Sequence, residues 1–175
     1  TEIYIFPYTT LFRSRYEDHL RKALQSARRH RMQIRCSSVG LESFDDRILF
    51  HLNKGLTVDV NLAAISRMRR LKQEFPFQWM YSRKDGANHG LIHPTPWDTP
   101  ETDAANRKWI REWGLHQDIL PDCSIPLIIH HGSGLGGWIR RVEEREDIRF
   151  TRYVSVIGWW PESLLDSKTP ALTGK

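Results

Sequence analysis

The sequence predicts an α/β fold in which short strands alternate with helices around a parallel sheet. Three observations carry that expectation. From Arg15 onward, helical and extended patterns follow one another, the order from which βα units are built. Two helix starts are written out, at Thr57 and at Thr99-Pro100. Ile125 to Ile129 is a short apolar run, the pattern of a strand buried on both faces of a parallel sheet.

The elements follow in order. Tyr16 to His30 reads as a helix, because Leu20, Ala23, Leu24 and Ala27 recur at helical spacing and form one apolar side. Met32 to Glu42 reads as a strand with Ile34 and Val39 inward, and Phe44 to Leu52 as a short helix closed by Asn53-Lys54-Gly55. Thr57 is the expected N-cap of the next helix, with Asp59 in its first turn, where an acid suits the helix dipole. Val58, Leu62, Ile65 and Met68 give that helix its apolar stripe, and Arg67, Arg69, Arg70 and Lys72 are expected to point away.

Phe75 to Tyr81 and Gly90 to His93 look extended, separated by the turn signal Lys84-Asp85-Gly86. Thr99-Pro100-Glu101-Thr102-Asp103 combines an N-cap, a proline at the first helical position and acids in the first turn. The helix it opens ends at Gly114, a natural residue beyond a C-cap. Trp138 to Glu146 then reads as helix and Phe150 to Trp160 as extended. No repeat, low-complexity tract or linker divides the chain.

The 175 residues suit one domain and are few for a complete (β/α)8 barrel. Hydrophobic residues make up 39%, enough for a core, yet no apolar run approaches the roughly 20 residues that span a bilayer. Nor does the start read as a secretory signal. Two cysteines, Cys36 and Cys123, cannot form a disulfide framework, so the reducing cytoplasm is the expected compartment. Residues 1–14 resemble a translated sequencing adapter, read in two frames one base apart. They are therefore expected to have no place in the fold, and the native chain to have been cut upstream of Arg15.

Formal charge is +5. Much of it lies between Arg15 and Arg35, where Arg21, Lys22, Arg28, Arg29 and Arg31 crowd together. Such a helix suits either a nucleic-acid surface or a solvated outer face, and its apolar other side favours the second.

Three loops follow predicted parallel strands: Glu42-Ser43, His93 to Asp98, and His130 to Gly137. In parallel barrels the ends where strands run into helices form the functional face, so these loops are expected to share a mouth. Gly132-Ser133-Gly134-Leu135-Gly136-Gly137 also fits G-x-G-x-x-G, a dinucleotide signature only when a βα unit surrounds it. It reads equally as a flexible loop or a structural turn. His130-His131 suits metal binding or acid–base work, but no further ligand sits at metal spacing. Trp159-Trp160 reads as core or as cover for the sheet.

Three blocks together carry a family resemblance. They are Val39-Gly40-Leu41-Glu42-Ser43-Phe44-Asp45-Asp46-Arg47-Ile48-Leu49, then Leu52-Asn53-Lys54-Gly55-Leu56-Thr57-Val58 with Asn61-Leu62-Ala63-Ala64-Ile65, and the stretch from Gly90 to Thr102. Their order and spacing resemble the radical S-adenosylmethionine superfamily after its fourth strand. Relatives there read G-[IV]-E-S, x-L-N-K-G and F-I-x-G-x-P-x-[ED]-T. The resemblance covers roughly Ala23 to Leu115 and implies a partial (β/α)6 barrel, the fourth to sixth βα units.

It implies cofactors as well: S-adenosylmethionine, and a [4Fe–4S] cluster on a three-cysteine motif that would lie upstream. One electron from a donor protein would then release a 5′-deoxyadenosyl radical toward an unidentified substrate. Some cobalamin-dependent members share a Pro-Trp-x-Thr-like loop, which makes cobalamin a candidate too. Carried over by residue, the resemblance assigns Glu42 to the ribose hydroxyls, with Ser43 beside it, and Gly90 and Ile92 to the adenine. Pro94 stands where relatives have glycine, which removes a close backbone approach there. Catalytic residues are unassigned, and the chain itself offers no metal ligands.

Two other classes stand beside this one. Pro126 to Gly132 resembles the strand before the oxyanion loop of α/β hydrolases, but no G-x-S-x-G elbow accompanies it. A ligand-sensing domain of a transcriptional regulator would accommodate the strand pattern without explaining the Glu-Ser and Asn-Lys-Gly blocks.

Overall fold

A computed structural model describes residues 14–87, 89–118, 127–152 and 156–161. Residues 1–13, Cys123 and the stretch from 162 onward lie outside them, and with them all of the adapter-like segment except Ser14, which opens the first helix. The described residues fall into two compact units. The first runs from the first helix to His93 and resumes at Trp97; the second joins Pro94–Pro96 to the chain from 127 onward.

In the first unit, α1 spans Ser14–Arg29 and buries Leu20, Leu24 and Ala27. Ala23 is exposed, so the apolar side is narrower than expected. On its polar side Arg21 pairs with Glu17 and Glu74, and the Arg28 guanidinium lies 4.5 Å above the Phe75 ring. Two of the crowded basic residues are thus committed to neighbours within the unit.

The strand expected from Met32 to Glu42 is interrupted. Only β1, Ile34–Arg35, is regular, pairing in parallel with β2, Trp79–Met80. The chain then kinks, with Leu41 N–H bonded to Val39 O and Ser43 N–H to Leu41 O. It pairs again in parallel at one point, Glu42 opposite Leu91. Six residues lie between Arg35 and Glu42, whereas ten lie between Met80 and Leu91. The longer side contains a 3₁₀ turn, Arg83–Asp85, closed by Gly86 at φ 83°.

α2, Asp46–His51, begins at Asp45, whose carboxylate accepts from the N–H groups of Arg47 and Ile48. α3, Val58–Glu74, begins at Thr57 as expected. Val58, Leu62, Ile65 and Met68 are buried in the main core with Leu24, Leu49 and Trp79. Two of the residues expected to point away do not. Arg69 reaches Asp118, which is fully buried, and Lys72 reaches Asp85 and the Trp79 carbonyl. Their long stems lie along apolar surface while the charged ends find buried acceptors. α4, Pro100–Glu112, opens with Thr99 and Thr102 bonding each other reciprocally, and Gly114 follows it at φ 58°.

The second unit corrects the parallel reading of Ile125 to Ile129. β3 is Ile128–His130, and it pairs antiparallel with β5, Val156–Pro161. β4, Phe150–Arg152, flanks β5 on the other side. Ile129 is buried but Ile128 is 49% exposed. This alternation marks a one-faced antiparallel sheet rather than a strand covered on both sides.

The glycine-rich loop is also corrected. α5 spans Gly134–Glu146 with Ser133 as N-cap, so Gly134, Gly136 and Gly137 form its first turn. A Cβ on Gly136 would stand 2.6 Å from His130 O, which explains that glycine by packing.

The chain is therefore a mixed α/β structure with a small parallel pair. Among the described residues no helix is long and apolar enough to cross a membrane.

Candidate functional site

Glu42 adopts a left-handed backbone, φ 61°, a conformation that residues with a Cβ rarely hold without support. Support comes from four directions. Ile92 N–H donates to the Glu42 carbonyl at 2.8 Å. From α3, the Asn61 amide donates to the carbonyls on both sides of Glu42, Leu41 O at 2.8 Å and Ser43 O at 3.1 Å. From α4, the Asn106 carbonyl oxygen accepts Phe44 N–H at 2.6 Å and the Ser43 hydroxyl at 3.3 Å. Finally Lys54 Nζ lies 2.5 Å from Glu42 Oε1.

Each contact explains a separate piece of sequence. Asn53 at φ 53° and Gly55 at φ 63° close α2 and turn Lys54 toward the carboxylate. The Glu42 side chain folds over Gly40, where a Cβ would meet Oε1 at 2.6 Å. A side chain at Gly40 would displace the carboxylate from this position. Asn61 is fully buried within an otherwise apolar stripe.

The expected site residues thus divide. Glu42 and Ile92 are brought together by the parallel pairing, and Gly90 lies half-buried one residue before Leu91. Ser43 is buried, and its hydroxyl is engaged by Asn106 and by Asp45 N–H. The loop at His130 belongs to the second unit.

Behind this edge lies a polar network that sequence reasoning missed. Asp118, with no exposed surface, accepts from Arg69 and from the Tyr81 hydroxyl at 2.7 Å. The bond to Asp118 holds Arg69 more firmly protonated, and burial followed by the Asp118 bond pushes the Tyr81 phenol up. His89, also fully buried, bonds the Tyr81 carbonyl through Nε2 at 2.6 Å and accepts Val39 N–H at Nδ1 at 2.8 Å. That pair fixes the neutral Nε2–H tautomer, and burial lowers the imidazole's tendency to protonate. Isolated histidines and arginines carry no sequence signal for such partners. The one clue was an aspartate, Asp118, just after an apolar helix end.

At the outer end, His93 Nδ1 is 3.0 Å from Asp98 Oδ2, and His51 stacks on Trp97 with ring centres 4.9 Å apart. A shallow cleft of about 330 Å3 lies nearby in sequence, lined by Phe44, Asp45, Asp46, Val58 and Trp109. Two of its acids have structural tasks, since Asp45 caps α2 and Asp46 accepts Val58 N–H, and Asp59 also lines it. Among the described residues no group of three His, Cys, Asp or Glu side chains is placed to hold a metal ion. Cys36 is buried, and burial pushes its thiol up to about 11.

Set against known proteins, the chain matches no family model, no curated protein and no solved structure.

Proposed function

We propose that this chain is the adenosyl-binding part of a radical S-adenosylmethionine enzyme, with Glu42 accepting hydrogen bonds from the ribose hydroxyls. One observation supports the reading above the others: Glu42 lies opposite Leu91 in parallel pairing. The two blocks that the resemblance assigns to ribose and adenine are therefore neighbours, and each runs on into a helix, α2 or α4. Parallel strand ends that feed helices are where α/β folds bind nucleotides. The remainder of a (β/α)6 barrel is part of the proposal.

The ribose hydroxyls would donate to the carboxylate of Glu42, one oxygen of which is already engaged by Lys54. The backbone of Gly90 to Ile92 would line the adenine. The adenosyl group, when bound, supplies the reactive carbon; the protein holds and orients it. An iron–sulfur cluster does not fit the residues present. Such a cluster takes three or four thiolates, whereas the chain has two cysteines, and Cys36 is buried with a raised pKa. No step is therefore assigned to a cluster here.

Calorimetric titration of S-adenosylmethionine into the purified chain and into Glu42→Ala tests the reading. Loss of charge-assisted hydrogen bonds of about 1.5–3 kcal/mol should weaken binding roughly ten- to a hundredfold. Equal affinities would remove Glu42 from the site, and no binding to the unaltered chain would remove the site itself.

A further inference from the structure

We propose that His93 and Asp98 form a general-base pair, a proton-transfer site independent of adenosyl binding. The geometry has three parts. Asp98 Oδ2 lies 3.0 Å from His93 Nδ1, which places the imidazole proton on Nδ1 and leaves the Nε2 lone pair as the acceptor. Asp98 is the shielded member, its side chain 13% exposed against 35% for His93. Its other oxygen lies 3.4 Å from the Thr102 hydroxyl, whose proton has a nearer acceptor in the Thr99 carbonyl at 2.8 Å. No described residue bonds Nε2.

The pair is therefore oriented from behind and open in front, the arrangement by which a carboxylate fixes an imidazole's tautomer and stabilises the imidazolium that forms. Position supports the assignment. His93 directly follows Ile92, whose N–H holds the Glu42 carbonyl, so the base stands at the strand end. Asp98 immediately precedes Thr99, the cap of α4, and the helix start restricts its backbone. Trp97, which immediately precedes Asp98, is stacked on His51 at an interplanar angle of 11°. The substrate class that fits is a molecule carrying an acidic C–H or O–H.

The base-promoted ring opening of 5-nitrobenzisoxazole probes this directly. The ring C–H proton passes to Nε2, its electron pair closes the nitrile, and the N–O bond breaks with its electrons on oxygen. The coloured nitrophenolate reports the rate, and the imidazolium returns its proton to solvent.

The intact chain should exceed an equal concentration of imidazole by about a hundredfold, the lower range for a positioned base. His93→Ala and His93→Gln should each remove that excess, and Asp98→Asn about nine-tenths of it. His116→Ala, which alters an exposed histidine elsewhere, should leave the rate unchanged. Circular-dichroism melting of each variant verifies the fold. A chain no faster than imidazole, a His93→Ala variant with the full rate, or an equal loss in His116→Ala would overturn the proposal. None of these results depends on adenosyl binding, so the two readings fail separately.

Discussion

Glu42 sits at φ 61°, and its surroundings, not its own preference, hold it there. Strain of this kind persists where neighbouring structure over-determines it and concentrates at functional positions. Glycine has no penalty in this region, so the usual order of two substitutions should reverse. Glu42→Gly should be about 1 kcal/mol more stable than Glu42→Ala, a difference of a few degrees in Tm. Both should lose ligand affinity alike. Thermal melts of the two variants check this, and an alanine variant as stable as the glycine one would mean that the turn is unstrained. Glu42 was legible in the sequence because its block has a recognisable order. Asn61 was not, because its two acceptors lie 18 and 20 residues away and such bonds leave no local pattern. Its only signature was a polar residue on the stripe of Val58, Leu62 and Ile65.

Between elements, His89 ties the kinked stretch after β1 to the residue after β2. Its folded pKa is lowered, chiefly by burial, with the Tyr81 carbonyl and the charge of Asp118 opposing. The unfolded chain therefore binds the proton more readily, so stability is complete above about 6.5 and declines as pH falls toward the folded value. The slope should reach at most about 1.4 kcal/mol per pH unit. Glutamine can donate to Tyr81 O and accept from Val39 N–H without titrating, so His89→Gln should flatten this part of the profile. Urea midpoints between pH 5 and 8 measure it; parallel profiles for the two proteins would show that His89 contributes nothing to acid sensitivity. Helix boundaries were readable here because Thr57 and Thr99 act within one turn of themselves. Strand pairing was not: Ile125 to Ile129 has the composition of a doubly buried strand, and only its partner, β5, reveals the antiparallel, one-faced arrangement.

At the scale of the molecule, the mixed α/β class followed from the alternation of patterns, while the second unit was unforeseen because no composition change marks it. Ligand content can be tested at this scale. Anaerobic reconstitution of the chain with iron and sulfide should yield no reducible four-iron signal by electron paramagnetic resonance, since two cysteines do not make a cluster site. A signal at full occupancy would mean that other side chains complete the ligand set. The fold of Glu42 over Gly40 also constrains how this chain can change over time. An alanine at Gly40 would place its Cβ 2.6 Å from the carboxylate and 3.3 Å from Lys54, so it would push both side-chain ends out of their present contact while Glu42 remains. Once Glu42 is replaced by a smaller residue, the same alanine no longer meets a carboxylate, and a glutamate that returns later must seat its carboxylate elsewhere. The two positions are thus coupled: a chain that has changed both recovers the present carboxylate placement only by restoring Gly40 as well as Glu42.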